Sequence, residues 1–276
     1  MTRRADDSNL FTGFRGYLAY ANPGHRFEGV PLAIAESVLG RVVGIGYSGY
    51  WSDFAIGEDT GSFVVSGIEA NNASTVFNAA QAEGRSQRYG ALRLGPVNAV
   101  HRGIEVQAKS SAFRYQKGKR MWMFARLALA SPGGSTAHFG LASTTATFLG
   151  GLGNTSGARG IPGIDDGIYF HKIPGETRWD FTVRQNNGET RRTQMPATAL
   201  GSETYQEIGF HVDLDGRIHV YVDEDEQTTA LVEATDANIP DDTELRLSFG
   251  VGQGPQALPA LQRTLDLDWI VAVQEN

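Results

Sequence analysis

Apolar and polar residues alternate with a period of two along the last quarter of the chain. The alternation runs through residues 205–227, 244–254 and 263–274. Because successive side chains of a β-strand point to opposite faces of a sheet, each stretch predicts strands with one buried side and one solvent-facing side. The first stretch is interrupted at Asp213-Leu214-Asp215-Gly216, and an Asp-Gly pair readily adopts the positive φ angles of a tight turn. The pattern therefore predicts a β-hairpin over residues 205–222 within an antiparallel sheet.

Shorter stretches of the same kind, separated by glycine-rich turns, continue back to about residue 51. After its first residue, Arg120, the stretch 120–130 is apolar on both faces apart from Arg126, which is typical of a central strand that is covered on both sides. The predicted strands number about ten to thirteen, and no crossover helix separates them. We therefore expect an all-β fold, a two-sheet antiparallel jelly-roll sandwich over residues 51–276, preceded by an N-terminal arm over residues 1–50.

The predicted arm has a composition of its own. Phe11, Phe14 and Tyr17 lie three residues apart among small residues, and Arg3 and Arg4 precede them. Buried aromatic residues and arginines commonly anchor protein interfaces, so these five residues are the candidates for attachment to a partner. The alternative is that the aromatic side chains cover the sandwich's own core, and the sequence leaves both interpretations open.

Composition narrows the class of protein. The chain of 276 residues has no cysteine, which excludes disulfides, thiolate zinc sites and cysteine nucleophiles. Hydrophobic residues make up 41% of it, enough to build a core. The first nine residues are polar and charged, unlike a signal peptide, and no apolar run reaches the ~20 residues that cross a bilayer. We expect synthesis in a cytoplasm and no membrane partner.

The net charge of −7 is unevenly placed. Residues 201–245 contain thirteen acidic residues and one basic residue, Arg217. Such a surface argues against binding to nucleic acid. We interpret the acidic residues as solvated charges that discourage edge-to-edge strand pairing. A calcium site is the alternative, but the D-x-D-x-D-G spacing of a calcium loop is missing, so no metal is expected.

Two short motifs are similar to enzyme motifs but lack the surroundings that the chemistry needs. Residues 44–49 read G-I-G-Y-S-G, yet no helical pattern follows, so a turn is predicted rather than a dinucleotide site. Asp266 and Asp268 occupy alternate positions of one predicted strand, as in the E-x-D-x-E signature of sandwich glycoside hydrolases, but no glutamate completes it. We interpret both carboxylates as solvent-facing, and we expect no catalytic residues and no cofactor.

His211 and His219 flank the predicted turn and are expected to face each other across the hairpin. With Asp213 or Asp215, the two imidazoles would make a conceivable zinc site. Their apolar neighbours hold the core-facing positions of both strands, which places the histidines on the opposite face. We therefore predict an exposed cross-strand pair without metal.

Carbohydrate binding requires exposed aromatic side chains beside polar loops. Trp51 and Tyr205 are the candidates for glycan binding, whereas Trp179 has the alternation of a buried residue. A glycine-rich stretch within residues 146–166 is long enough to be functional, and it is where contact with a partner is expected.

The order of the strand motifs resembles a known family. From about Trp51 to the C-terminus the chain is similar to the concanavalin A-like (laminin G-like) jelly-roll structural proteins of tailed bacteriophages. The matching segments are residues 118–126 (GKRMWMFAR), 139–142 (FGLA), 166–172 (DGIYFHK), 179–181 (WDF), 218–223 (IHVYVD) and 265–271 (LDLDWIV).

The resemblance implies a non-enzymatic virion protein, a capsid decoration or head-fibre protein that is assembled in the host bacterial cytoplasm. Its expected partner is the major capsid protein or another virion protein, bound through the arm, and a homo-oligomer, preferably a trimer, is expected. Two alternatives stay open. One is a lectin-like glycan-binding module of a phage surface or tail protein, and the other is a sandwich-fold polysaccharide hydrolase or lyase.

Overall fold

The structure is a computed structural model of the chain. It describes residues 42–44, 47–52, 63–67, 78–79, 92–97, 103–109, 113–143, 164–186, 188–195, 204–223, 225–236, 239–253 and 263–275. The candidate arm residues Arg3, Arg4, Phe11, Phe14 and Tyr17 lie outside these ranges. Within the described part of the chain, no helix is long and apolar enough to span a bilayer.

The described strands form two antiparallel sheets, which confirms the predicted all-β sandwich. The nine-stranded sheet has the order β1-β2-β16-β7-β12-β13-β14, with β5 beside β16 and β4 beside β5. Its strands are β1 (Val42–Gly44), β2 (Tyr47–Ser52), β4 (Asn78–Ala79), β5 (Leu92–Val97), β7 (Met121–Leu129), β12 (Gln206–Val212), β13 (Ile218–Val222), β14 (Asp225–Glu226) and β16 (Arg263–Glu275).

The seven-stranded sheet has the order β11-β10-β9-β8-β15-β6-β3. Two short 3-10 helices, Pro132–Gly134 and Thr228–Ala230, lie between strands. The strands of this second sheet are β3 (Phe63–Gly67), β6 (Gly103–Ala108), β8 (Ser135–Ser143), β9 (Gly167–Lys172), β10 (Asp180–Gln185), β11 (Gly188–Gln194) and β15 (Leu245–Gln253).

The predicted hairpin is confirmed as β12 and β13, which pair from Ile208 with Val222 to Val212 with Ile218. Its turn closes through a 3.0 Å hydrogen bond from Gly216 N to Asp213 O. Gly216 has a φ of +87°, a left-handed conformation that glycine adopts without steric cost. Within the G-I-G-Y-S-G motif, Gly44 at the end of β1 pairs with Tyr47 at the start of β2, so the motif joins two strands and does not open a helix. Both strands belong to the nine-stranded sheet, and β2 runs across the predicted boundary at residue 50.

The core lies between the two sheets. Strand β7 is buried throughout apart from Arg126, and β12 and β16 flank it, as its apolar sequence predicts. A series of aromatic rings links the sheets. Phe170 packs on Phe139 and Phe181 at centroid distances of 6.4 and 5.0 Å, and Phe181 packs on Phe210 of the other sheet at 6.1 Å.

Candidate functional site

A row of titratable side chains crosses the outer face of the seven-stranded sheet. Asp180 of β10 is paired in register with His171 of β9, and His171 with His138 of β8. The next partner along the row is Gly250 of β15, which pairs with Glu105 of β6. The apolar neighbours of these residues point into the core, so the alternation of each strand places all four side chains on the opposite face. We call Asp180, His171, His138 and Glu105 the polar row.

More polar side chains lie beside the polar row on the same face. Thr182 is paired in register with Tyr169, and Tyr169 with Gly140. Gly140 is paired in turn with Ser248 of β15. Arg184 lies two residues after Thr182 on β10 and therefore on the same face. Although these side chains face away from the core, they and the polar row are only 0–8% exposed. This face of the sheet is therefore an enclosed polar layer.

Hydrogen bonds connect the members of this layer. His138 Nε2 lies 2.9 Å from Ser248 Oγ, and that hydroxyl donates to Glu105 Oε1 at 3.5 Å. Because the single hydroxyl proton is directed at the carboxylate, the serine oxygen accepts its bond from His138 Nε2–H. At the other end of the row, His171 Nδ1 is 3.3 Å from Thr182 Oγ1. His171 Nε2 lies 3.6 Å from Asp180 Oδ2, which is close but beyond hydrogen-bond distance.

The glycine at position 250 creates the space into which His138 reaches. A Cβ atom placed on Gly250 would lie 2.7 Å from His138 Cε1 and 2.7 Å from the carbonyl oxygen of Ile104. Such distances are shorter than van der Waals contact, so only glycine lets the imidazole cross β15. The row continues from His138 to Glu105 through this gap.

Burial sets the charge of the central histidine. Desolvation, helped by the nearby His171, holds the pKa of His138 well below its usual value. The imidazole is thus neutral near pH 7, where it can donate from one ring nitrogen and accept at the other. A neutral histidine beside carboxylates and hydroxyls is suited to hydrogen bonding with polar, uncharged groups.

The two carboxylates of the polar row are too far apart to act as a glycosidase pair. Four strand spacings separate β6 from β10, which corresponds to about 19 Å between Glu105 and Asp180. Paired carboxylates of glycoside hydrolases lie about 5–9.5 Å apart. Glu105 and Asp180 therefore cannot be the acid and the base of one hydrolytic step.

The histidine pair of the hairpin is confirmed in its register but not in its exposure. His211 and His219 are directly opposite each other, with ring centroids 5.9 Å apart. His219 is half-buried, but His211 is buried because its ring stacks on Trp122 at 5.3 Å. The prediction that both are exposed is therefore wrong for His211.

His219 is bound by carboxylates on both sides. Its Nδ1 lies 2.8 Å from Glu226 Oε1 and its Nε2 3.1 Å from Asp213 Oδ2. Among the residues that the structure describes, no group of three or more histidine, aspartate or glutamate side chains could hold a metal ion. The zinc alternative thus has no support at this hairpin.

The carboxylates of β16 are not the solvent-facing groups that the sequence suggested. Asp266 accepts two hydrogen bonds from Arg93, at 2.7 and 2.6 Å, and Asp268 pairs with Arg126 at 2.5 Å. Both do lie away from the core, but their side chains are only 12% and 14% exposed. Side-chain length explains the difference, since an arginine on the neighbouring strand can reach across and cover the carboxylate.

The two glycan-binding candidates are not part of the polar layer. Trp51 lies on β2, where it is paired in register with Val271 of the nine-stranded sheet. Tyr205 directly precedes β12 of that sheet, and the guanidinium of Arg126 lies 5.0 Å from the centre of its ring. No finding tests whether either residue binds a glycan, so both assignments stay predictions.

Sequence reasoning missed the polar layer. Trp179 is buried, as its alternation with polar residues predicted. The same alternation placed Asp180, Thr182 and Arg184 on one face, and Tyr169 with His171 on one face of the preceding strand. The signal was present in each strand, but only the strand order shows that these faces join.

Comparisons with known proteins support the fold. No protein-family model matches the chain, and no curated protein matches it. Its structure is similar to the endo-1,3-β-glucanase of Streptomyces sioyaensis (TM-score 0.54, 15% identity, 85% of this chain and 98% of the other). It is also similar to SCLam, a non-specific endo-β-1,3(4)-glucanase of family GH16 (0.52, 11%, 86% and 96%), and to the Crh5 transglycosylase (0.51, 14%, 83% and 84%).

These similarities establish a concanavalin A-like jelly-roll sandwich, and they correct the functional expectation. The interpretation as a phage virion protein, a capsid decoration or head-fibre protein without enzymatic activity, is wrong, because the similar solved structures named above are two endo-glucanases and a transglycosylase. The earlier resemblance relied on packing motifs, which carry information on strands rather than on role. The expected partners, oligomeric state and localisation are tested by none of these findings and stay predictions.

Proposed function

We propose that this protein binds and processes a polysaccharide, and that the polar layer of the seven-stranded sheet contacts the sugar. The observation that carries the proposal is the row of four titratable side chains on the face of the sheet that does not build the core. Burying groups such as His138, Glu105 and Asp180 costs free energy that a purely structural face would avoid with apolar residues. Concentrations of buried ionisable groups of this kind are typical of functional sites.

The chemistry of the layer suits a sugar. Carboxylates accept hydrogen bonds from sugar hydroxyls, while Arg184, Ser248 and the neutral His138 donate or accept them. The first candidate ligands are β-1,3-glucan and mixed-linkage β-1,3-1,4-glucan, because the solved structures of similar fold include enzymes named for these linkages.

The binding test uses isothermal titration calorimetry with soluble β-1,3-glucan and mixed-linkage β-glucan. Glu105→Gln and Asp180→Asn keep the side-chain shape but remove a charged hydrogen-bond acceptor. Each should weaken binding about tenfold or more, since a hydrogen bond to a charged group contributes roughly 1.5–3 kcal/mol. The matched control is Asp215→Asn at the exposed tip of the hairpin, which should leave the affinity unchanged.

The proposal fails if the wild-type protein binds neither glucan nor any member of a broad panel of bacterial and plant polysaccharides. The assignment of the polar layer to sugar binding fails if both variants bind as tightly as the wild type.

Cleavage of the bound polysaccharide is the second candidate function, favoured by the enzymes with which this fold is shared at TM-scores above 0.5. Since Glu105 and Asp180 are about 19 Å apart, hydrolysis would need a further carboxylate close to one of them. Release of reducing ends from either glucan is the assay. Loss of release in Glu105→Gln but not in Asp180→Asn would place the acid–base group at the β6 end of the row, and the opposite result would place it at the β10 end.

A further inference from the structure

A stack of aromatic and charged side chains lies on the outward face of the nine-stranded sheet, where Trp122 alternates with the core residues of β7. The guanidinium of Arg120 lies 5.5 Å from the ring centre of Trp122. Trp122 stacks on His211, with centroids 5.3 Å apart and ring planes inclined by 6°, and His211 stacks on His219 at 5.9 Å and 26°. The His211 ring is therefore held between an indole and a second imidazole.

The surroundings of the His211 ring suit its neutral form. The ring is buried, and its Nε2 has no hydrogen-bond partner within the described part of the chain. The charged or titratable groups that act on it are His219 across the hairpin, Asp213 of the turn, Arg120 before β7 and Glu275 of β16. Burial, His219 and Arg120 disfavour a positive charge on the ring, whereas the two carboxylates favour it. A proton on His211 is therefore unfavourable as long as the ring stays in the stack.

His219 has the opposite surroundings. Its Nδ1 lies 2.8 Å from Glu226 Oε1 of β14, and its Nε2 lies 3.1 Å from Asp213 Oδ2 of the turn. A neutral imidazole carries one N–H and can donate to only one of these carboxylates, whereas the protonated ring donates to both. Charge-assisted hydrogen bonds are also shorter and stronger than neutral ones. A proton on His219 therefore joins the turn and β14 more firmly to β13.

The contact with Glu226 holds a short strand in place. The two residues of β14 form two register pairs with β13. The next residue, Gln227, donates a backbone hydrogen bond of 2.7 Å to Val220. Segments with few backbone hydrogen bonds are the ones that open most easily in a folded protein. The bond between His219 and Glu226 should therefore determine how often β14 separates from β13.

The two histidines take up protons in a fixed order, and the two protons have opposite effects. Burial acts to lower the pKa of His219, but the hydrogen bonds and charges of Glu226 and Asp213 outweigh it and raise the pKa. Burial, followed by the charge of His219, lowers the pKa of His211 to about 4. The first proton therefore binds His219. The second proton, on His211, puts two like charges 5.9 Å apart and one of them in a buried position, and both penalties are relieved when the ring turns to solvent.

We propose that the hairpin of β12 and β13 is an acid-operated switch with two stages. The first proton, on His219, holds β14 and the turn more tightly against β13. The second proton, on His211, releases the His211 ring from Trp122 while the two sheets stay folded. This inference does not rest on the proposed sugar-binding function, which concerns the other sheet.

Amide hydrogen exchange followed by NMR tests the first stage in the full chain. The protection factor of the Gln227 amide should be about threefold or more higher at pH 6 than at pH 8.5 in the wild type. In His219→Gln, which keeps a hydrogen-bonding side chain that cannot be protonated, the factor should be equal at both pH values. The reference is the Met195 amide, which bonds to Trp179 O in the other sheet at 2.8 Å and should not respond. A wild-type factor that does not rise at pH 6, or an equal rise in the variant, would overturn this stage.

Nuclear Overhauser contacts between side-chain rings test the second stage. Contacts between the ring protons of His211 and Trp122 should be present at pH 6 and lost once His211 is protonated, near pH 4. The contact between Phe181 and Phe210 in the core should persist through the same titration, because the sheets stay packed. A contact between His211 and Trp122 that survives the protonation of His211 would overturn this stage.

His211→Phe is the matched control, because it keeps a ring against Trp122 that cannot take up a proton. The contact between the new ring and Trp122 should persist from pH 6 to pH 4. Loss of the ring contact at the same pH in the wild type and in this variant would mean that the chain unfolds in acid independently of His211. That result would overturn the proposal, and so would loss of the Phe181–Phe210 contact together with the His211–Trp122 contact in the wild type.

Discussion

At the scale of single residues, the candidate site depends on a position without a side chain. Gly250 stands in the polar row between His138 and Glu105, and its missing Cβ is what lets the imidazole reach Ser248. The same atom would also press on the backbone carbonyl of Ile104 in β6, which cannot move without breaking the strand pairing. Packing therefore requires a glycine at position 250, and the hydrogen bond between His138 and Ser248 depends on that glycine.

Gly250→Ala should displace His138 and destabilise the protein. Steric overlap in a closely packed layer costs about 1–3 kcal/mol, so a fall in the melting temperature is expected, together with weaker glucan binding. The matched control is Gly133→Ala, because a Cβ at this exposed glycine would meet no atom within 4 Å. Thermal unfolding followed by circular dichroism measures both. Equal stability of the two variants would show that β15 can shift to accept the methyl group.

At the scale of elements, the hairpin of β12 and β13 carries two histidines with opposite responses to pH. Burial, followed by the charge of His219, lowers the pKa of His211 to about 4. Burial also acts to lower the pKa of His219, but the hydrogen bonds and charges of Glu226 and Asp213 outweigh it, and the pKa is raised. At mildly acidic pH the hairpin therefore holds one neutral and one protonated imidazole.

His211 should make folding sensitive to acid. Its pKa is lower in the folded than in the unfolded chain, so the unfolded chain takes up the proton first, and stability falls as the pH drops from about 6.5 to about 4. The loss from this group is on the order of 3 kcal/mol at its largest. In His211→Phe, which retains a ring against Trp122, this loss should disappear. Urea unfolding of both proteins at pH 7 and pH 4.5 measures the difference.

The variant His219→Gln tests the second histidine of the hairpin, whose pKa is shifted in the opposite direction to that of His211. Because the pKa of His219 is raised on folding, its contribution is present below pH 6.5 and is lost as the pH rises through the folded-state pKa. The substitution should lower stability at pH 6 by less than about 1 kcal/mol, since the pair is partly exposed, and by still less at pH 9. A larger effect at pH 9 than at pH 6 would contradict this account.

At the scale of the whole molecule, two sheets form one sandwich because their inner faces share an aromatic series. Phe139, Phe170 and Phe181 belong to the seven-stranded sheet, and Phe210 belongs to the nine-stranded sheet. All four are fully buried. The contact between Phe181 and Phe210 therefore joins the sheet that holds the polar row to the nine-stranded sheet.

Phe181→Ala should destabilise the whole fold and not only one sheet. Removing a buried phenylalanine leaves a cavity and costs about 3–5 kcal/mol, a large part of the 5–15 kcal/mol by which domains are typically stable. Leu214→Ala, at the exposed hairpin tip, is the control and should change stability by less than about 0.5 kcal/mol. Denaturant unfolding followed by tryptophan fluorescence and by circular dichroism should give coincident transitions. Separate transitions for the two probes would mean that the sheets unfold independently.

Local pattern was enough to predict the elements and the fold class. The Asp-Gly turn, the hairpin around it and the doubly buried strand β7 follow from the polarity of neighbouring residues, and so does the pairing of His211 with His219. The burial of His211 did not follow, because it depends on Trp122, a residue 89 positions away in the chain. The ion pair of Asp266 with Arg93 escaped prediction for the same reason.

The order of neighbouring residues is enough to predict which residues form strands, which side of each strand is apolar and which chemistry is unavailable to a chain without cysteine. These properties depend on the spacing of two residues along a strand, which is local. The folding of distant strands against one another joins the polar sides of β6, β8, β9, β10 and β15 into one enclosed layer, and it buries the outward apolar side chains of β7 and β16. Strand order and register are set by contacts between distant residues, and no local period records them.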